Sequence, residues 1–189
     1  MGKKTSGRGS VMYYKIEPIF KDETITIDQM SHWDYSLTLG EALPKDMPEP
    51  IEYEVDTEIV GSYLPTTFLS EPVFSKKFIR ELIACGVDNI QTYEVNIVNP
   101  DTKQCIEGYQ AVNILGKIAC ADMDVSECEK LIENQYVFRK LVIKPLSAHG
   151  SYIFRLAQCT QIILVHENIV KQLSPEICRD LNFEPVDEI

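Results

Sequence analysis

Acidic residues occupy every second position from Ile51 to Ile59, with Glu52, Glu54, Asp56 and Glu58 interleaved among Ile51, Tyr53, Val55, Thr57 and Ile59. Side chains of a strand point to opposite faces in turn, so a period of two predicts a strand that gathers these four carboxylates on one face. A helical period follows. Phe78, Ile79, Leu82 and Ile83 recur at the spacing of one helix face, with Ser75 placed to cap its start and Gly86 to supply the left-handed residue that ends it. Alternation returns from Asn89 to Val98, with Tyr93, Val95 and Ile97 facing in and Thr92, Glu94 and Asn96 facing out. Asn99-Pro100-Asp101 predicts a turn, and the segment from Tyr109 to Leu115 an antiparallel return.

Towards the N-terminus, Val11 to Pro18 reads as a strand and Thr24 to Asp28 alternates briefly. Ser31 to Leu43 is ambiguous, with Trp33, Tyr35, Leu37 and Leu39 spaced by two. In the second half, Ser126 and Glu129 have the spacing of a capping box, which predicts a short helix from Glu127 to Glu133. Strands are expected over Lys140 to Lys144, Tyr152 to Leu156 and Gln161 to Val165. A helix is expected from Glu167, a second helical piece opened by Ser174-Pro175, and an extended end from Phe183 to Val186. These patterns predict an α+β fold: a mixed, largely antiparallel sheet flanked by a few short helices. Pro44, Pro48 and Pro50 mark an internal boundary. The expected organisation is a flexible, glycine-rich tail over 1–10, a β-rich part over 11–60, and an α+β core over 61–189, the last two packed as one globular unit.

Composition narrows the function classes. The chain is 44% hydrophobic with seven Phe, nine Tyr and one Trp, enough to build a core without covalent staples. No apolar run approaches the ~20 residues of a membrane span, and no signal peptide is evident, so a cytoplasmic protein is expected. The six cysteines include no Cys-x-x-Cys pair and read as reduced small hydrophobes. The net charge of −11 repels nucleic acid and anionic lipid and favours a basic protein partner.

Candidate chemistry is sparse. Only His32, His149 and His166 could serve as an imidazole base, and Cys159, seven residues before His166, is the one thiol suggestive of a nucleophile with an activator. Zinc ligands in close pairs, nucleotide-binding glycine loops and serine-hydrolase elbows are absent, so no cofactor, metal or catalytic residue is assigned. Asp122 and Asp124 could hold magnesium in principle, but two loop carboxylates are more simply read as solvated. Arg155 stands within an apolar strand, where a structural ion pair is the expected solution. The acidic strand has two readings, the wet face or edge of an antiparallel sheet and a docking face for a cation-rich partner.

From Leu64 to Val186 the chain resembles a bacterial polymorphic-toxin immunity family of myxobacterial type. The residues that carry the resemblance are, in order, Leu64-Pro65, the helix from Ser75 to Cys85-Gly86-Val87, Val112-Asn113-Ile114-Leu115, Cys120-Ala121-Asp122, Ile153-Phe154-Arg155 and Phe183-Glu184-Pro185-Val186. His166 stands where the family pattern has a serine that caps the late helix, and Leu181-Asn182 replaces a glycine-containing turn. The resemblance implies a small cytoplasmic protein that neutralises a cognate secreted effector toxin by stoichiometric binding. Glu52, Glu54, Asp56 and Glu58 are then the expected partner-binding residues, facing a basic toxin domain. Two other readings stay open: a small enzyme using Cys159 with a histidine, and an acidic nucleic-acid mimic that occupies a DNA-binding regulator.

Overall fold

A computed structural model describes residues 12–19, 25–30, 35–55, 64–68 and 71–189. In chain order the elements are β1 (Tyr13–Pro18), β2 (Asp28–Gln29), β3 (Ile51–Glu54), β4 (Val73–Ser75), α1 (Lys76–Ala84), β5 (Ile90–Val98), β6 (Cys105–Ile106), β7 (Tyr109–Ile114) and β8 (Lys117–Ile118). There follow β9 (Glu127–Ile132), β10 (Gln135–Lys140), β11 (Val142–Ile143), a 3-10 turn (Pro145–Ala148), β12 (Ile153–Leu156), β13 (Cys159–His166), α2 (Glu167–Val170), α3 (Pro175–Asp180), β14 (Leu181–Pro185) and β15 (Asp187–Glu188).

Two main sheets result, and each joins strands from both sides of the prolines at 44, 48 and 50. The five-stranded sheet runs β14-β1-β13-β12-β8, antiparallel except for the short β12–β8 pairing. The six-stranded sheet runs β2-β3-β5-β7-β4 with β6 beside β5, antiparallel except where β3 lies parallel to β5. A β9–β10 hairpin and a parallel β11–β15 pair complete a mixed α+β fold.

Helix α1 forms as its sequence dictates. The Ser75 side chain accepts the Phe78 N–H at 3.2 Å, and Gly86 takes φ +93° just beyond the last turn. Phe78, Ile79 and Leu82 are buried against Val112 and Ile114 of β7 and Ile153 and Val165 of the other sheet, so the helix lies at the junction of the two. Burial of Phe78 and Leu82, both 0% exposed, stabilises the fold by about 1.5–3 kcal/mol each. Ile83, expected on the same face, is 55% exposed, because the buried stripe is too narrow to include it. The opposite face of β7 carries Ala111 into a second cluster with Ile51, Tyr53, Tyr93 and Ile97. A third cluster, built from Tyr13, Phe154, Leu156 and Leu164, fills the other side of the five-stranded sheet.

Some expectations are overturned. The helix expected over Glu127 to Glu133 is the strand β9, which turns through Glu133 and Asn134, the latter at φ 60°, into β10. The cap chemistry is diverted: the Ser126 hydroxyl donates to the Val142 carbonyl at 3.1 Å and accepts the Val142 N–H at 3.0 Å. A capping box only offers to start a helix, and although Cys128, Leu131 and Ile132 recur at helical spacing, the segment pairs with β10 instead. The strand expected from Lys140 to Lys144 is divided between the end of β10 and β11. Around Leu37 the spacing-by-two segment makes a turn, with Leu37 buried and Tyr35 and Leu39 exposed. Among the described residues, no helix is long and apolar enough to cross a membrane.

Candidate functional site

Of the four carboxylates expected on one strand face, the structure describes two. Glu52 and Glu54 lie on β3, while Asp56 and Glu58 fall outside the described residues. Between them, Ile51, Tyr53 and Val55 are about 1% exposed, so the alternation separates a dry face from a wet one as the pattern requires. The strand is not an edge, since β2 pairs with it on one side and β5 on the other, the latter in parallel.

Register determines what each acid meets. Glu52 sits beside Asn96 of β5, whose side-chain amide donates to its Oε2 at 2.8 Å. Glu54 is directly opposite Asp28 of β2, and among the described residues neither has a cationic partner. Farther across the same face, Glu94 accepts from Lys76 at 3.1 Å and from the Gln110 amide at 2.7 Å, and the Lys76 hydrogen bond holds its carboxyl below the usual range. The Glu49 carboxylate accepts the Glu94 backbone N–H at 2.7 Å. One end of the wet face is thus partly neutralised by Lys76, and the other, at Glu54 and Asp28, keeps its negative charges adjacent. Such a surface attracts cations.

The remaining candidates lie elsewhere. Cys159 and His166 are the first and last residues of β13, which places them roughly 20 Å apart along the strand, out of reach for thiol activation. His166 is instead structural: its Nδ1 accepts the Asn168 N–H at 3.0 Å and caps α2. Burial lowers its pKa, a direction that favours the neutral ring this acceptor role needs. All six cysteines are free, and burial pushes the Cys120 thiol up to about 11, where it is inert. The Asp122 carboxylate is committed to its own turn, accepting the Asp124 N–H at 3.0 Å and pairing with Lys144 at 2.9 Å. His149 is exposed, in a left-handed conformation after the 3-10 turn, and His32 lies outside the described residues.

Arg155 departs most from expectation. It is 1% exposed, yet among the described residues it has no carboxylate partner. Its guanidinium donates instead to the backbone carbonyls of Thr160 at 2.7 Å and Leu37 at 3.1 Å. Two features escaped the sequence reading altogether. One is Glu71, which shares a cavity with Arg155. The other is the exposed apolar edge of the β9–β10 hairpin, where Leu131 is 66% and Ile132 68% exposed, in a segment whose capping motif pointed to a helix. No model of a known protein family matches the sequence, and a search of curated proteins returns no significant match.

Proposed function

We propose that this chain is a cytoplasmic immunity protein that binds and neutralises a cognate secreted effector toxin by stoichiometric inhibition, using the acidic face of β3. The observation that carries the reading is the uncompensated pair of Glu54 and Asp28, held directly opposite each other on an exposed face. Like charges in that register weaken a sheet, and a cationic partner converts the repulsion into attraction. The order of motifs shared with the toxin-immunity family supports the same assignment. A nuclease-like toxin, with its basic substrate groove, is the kind of target this face would cover, with Glu52 and Glu54 in the contact and Asp56 and Glu58 continuing the same run in sequence.

The test is calorimetric titration of the purified chain with the toxin domain encoded beside its gene, paired with co-expression rescue of cells making that toxin. The expected result is a one-to-one complex, rescue, and at least tenfold weaker binding by a folded Glu52→Lys/Glu54→Lys variant. A folded chain that fails to bind the toxin refutes the reading, and unchanged affinity in the double variant refutes the assigned face.

A further inference from the structure

Where the two main sheets approach each other, Ile16 and Ile163 of one and Phe74 of the other line a half-open cavity of about 90 Å³, with Phe68, Glu71 and Arg155 in its walls. A guanidinium has five N–H donors. At Arg155 two of them reach the carbonyls of Thr160 and Leu37, and among the described residues the buried Nε–H has no partner. A buried cation without a counter-charge is costly, and an orphaned donor beside a cavity adds to that cost. Both are relieved by an anion that brings its own acceptors. Since one water needs roughly 10–15 Å³ of such space, the cavity has room for a small organic ion.

We propose that this cavity binds a short aliphatic monocarboxylate, its carboxylate on the Arg155 guanidinium and its alkyl chain against Phe68, Phe74 and Ile163. A planar carboxylate matches the guanidinium fork, and the apolar walls select an alkyl tail over a fully hydrated inorganic ion. Glu71 makes the binding pH-dependent. The charged and titratable groups around it are Arg155 in the shared cavity, Asp28 of β2 and Tyr53 of β3. Burial, and after it the charge of Asp28, raises its pKa. An entering anion raises it further, so binding takes up a proton at Glu71 and strengthens as pH falls.

The experiment titrates the full chain with propionate by calorimetry from pH 5 to 8, against chloride and inorganic phosphate at matched ionic strength. Propionate is expected to bind saturably, chloride and phosphate not. Arg155→Met should abolish the heat in a chain whose circular dichroism is unchanged. Glu71→Gln, which keeps the shape of the cavity, should bind roughly tenfold more tightly at neutral pH and lose the pH dependence. If Arg155→Met misfolds, the Glu71→Gln result decides alone. Propionate indistinguishable from chloride, an undiminished heat in folded Arg155→Met, or an unaltered pH profile in Glu71→Gln each overturns the proposal.

Discussion

Reversing the charge at Glu54 should make the protein more stable and a worse binder at once. Glu54 and Asp28 are directly opposed in an antiparallel register, and among the described residues no cation lies against either. Side chains in that relation sit about 5 Å apart at Cβ, where like charges destabilise by a few tenths to 1 kcal/mol. Two unit charges ~6 Å apart in water interact by about 0.7 kcal/mol. Glu54→Lys removes that repulsion and installs an attraction of similar size. After a discount for solvent screening and side-chain ordering, the net gain is about 1 kcal/mol, or ~2–4 °C in Tm for a chain of this length. Glu54→Gln, which removes only the repulsion, should give about half.

Urea unfolding at low salt, repeated near 0.5 M, measures the effect, since a Debye length below ~5 Å at the higher salt should erase most of it. Glu and Lys are both weak strand formers, so propensity does not confound the comparison. A variant less stable than the parent at low salt refutes the reasoning, and so does a gain that survives high salt. Stability rising while affinity for the proposed partner falls is the signature of a residue retained for contact.

Other consequences follow from residues already placed. The His166 cap needs a neutral ring, and burial lowers the folded pKa, so its contribution is fully present above ~6.5 and lost as pH falls through the lower folded value. His166→Ser keeps the acceptor and should flatten the pH 5–7 limb of the stability curve measured by thermal unfolding. Asp122, held below the ordinary carboxylate range by Lys144, likewise stabilises above the unfolded pKa of ~3.9, a contribution lost on further acidification. Asp122→Asn should therefore unfold more easily at pH 7 and show a shallower acid limb in urea titrations. Ser126→Ala removes both bonds to the Val142 backbone and should lower stability by about 1–2 kcal/mol, with the hairpin amides exchanging faster by NMR. Gly86→Ala places a Cβ 3.3 Å from the Tyr152 ring at φ +93° and should cost more than ~1 kcal/mol in urea unfolding.

Period was the reliable messenger. Where burial alternates along one element, as on β3 and β5, or recurs along α1, the residues that face inward are among those the spacing names, with Ile83 the exception. Both predicted caps at Ser75 and Ser174 accept the expected backbone N–H. The failures share a cause, in that each depended on a partner distant in sequence. Ser126 is claimed by Val142, so a local cap motif became a strand tie. Arg155 donates to the carbonyl of Leu37, 118 residues away, which no local pattern encodes. The parallel pairing of β3 with β5 was equally hidden, and with it the fact that the acidic strand is flanked on both sides. Of the candidate site, the shared face of Glu52 and Glu54 was legible from alternation, whereas the opposition of Asp28 required knowledge of register.

The position of β1 also constrains how the molecule is made. It lies between β13 and β14, both of which leave the ribosome roughly 150 residues later, about ten seconds or more at ordinary elongation rates. Throughout that interval its backbone donors and acceptors have no native neighbour on either flank, and Tyr13, wholly enclosed in the finished protein, has nothing to pack against. Chains released before Leu164 should therefore be clients of chaperones and proteases, because this sheet closes only once β13 and β14 have been made.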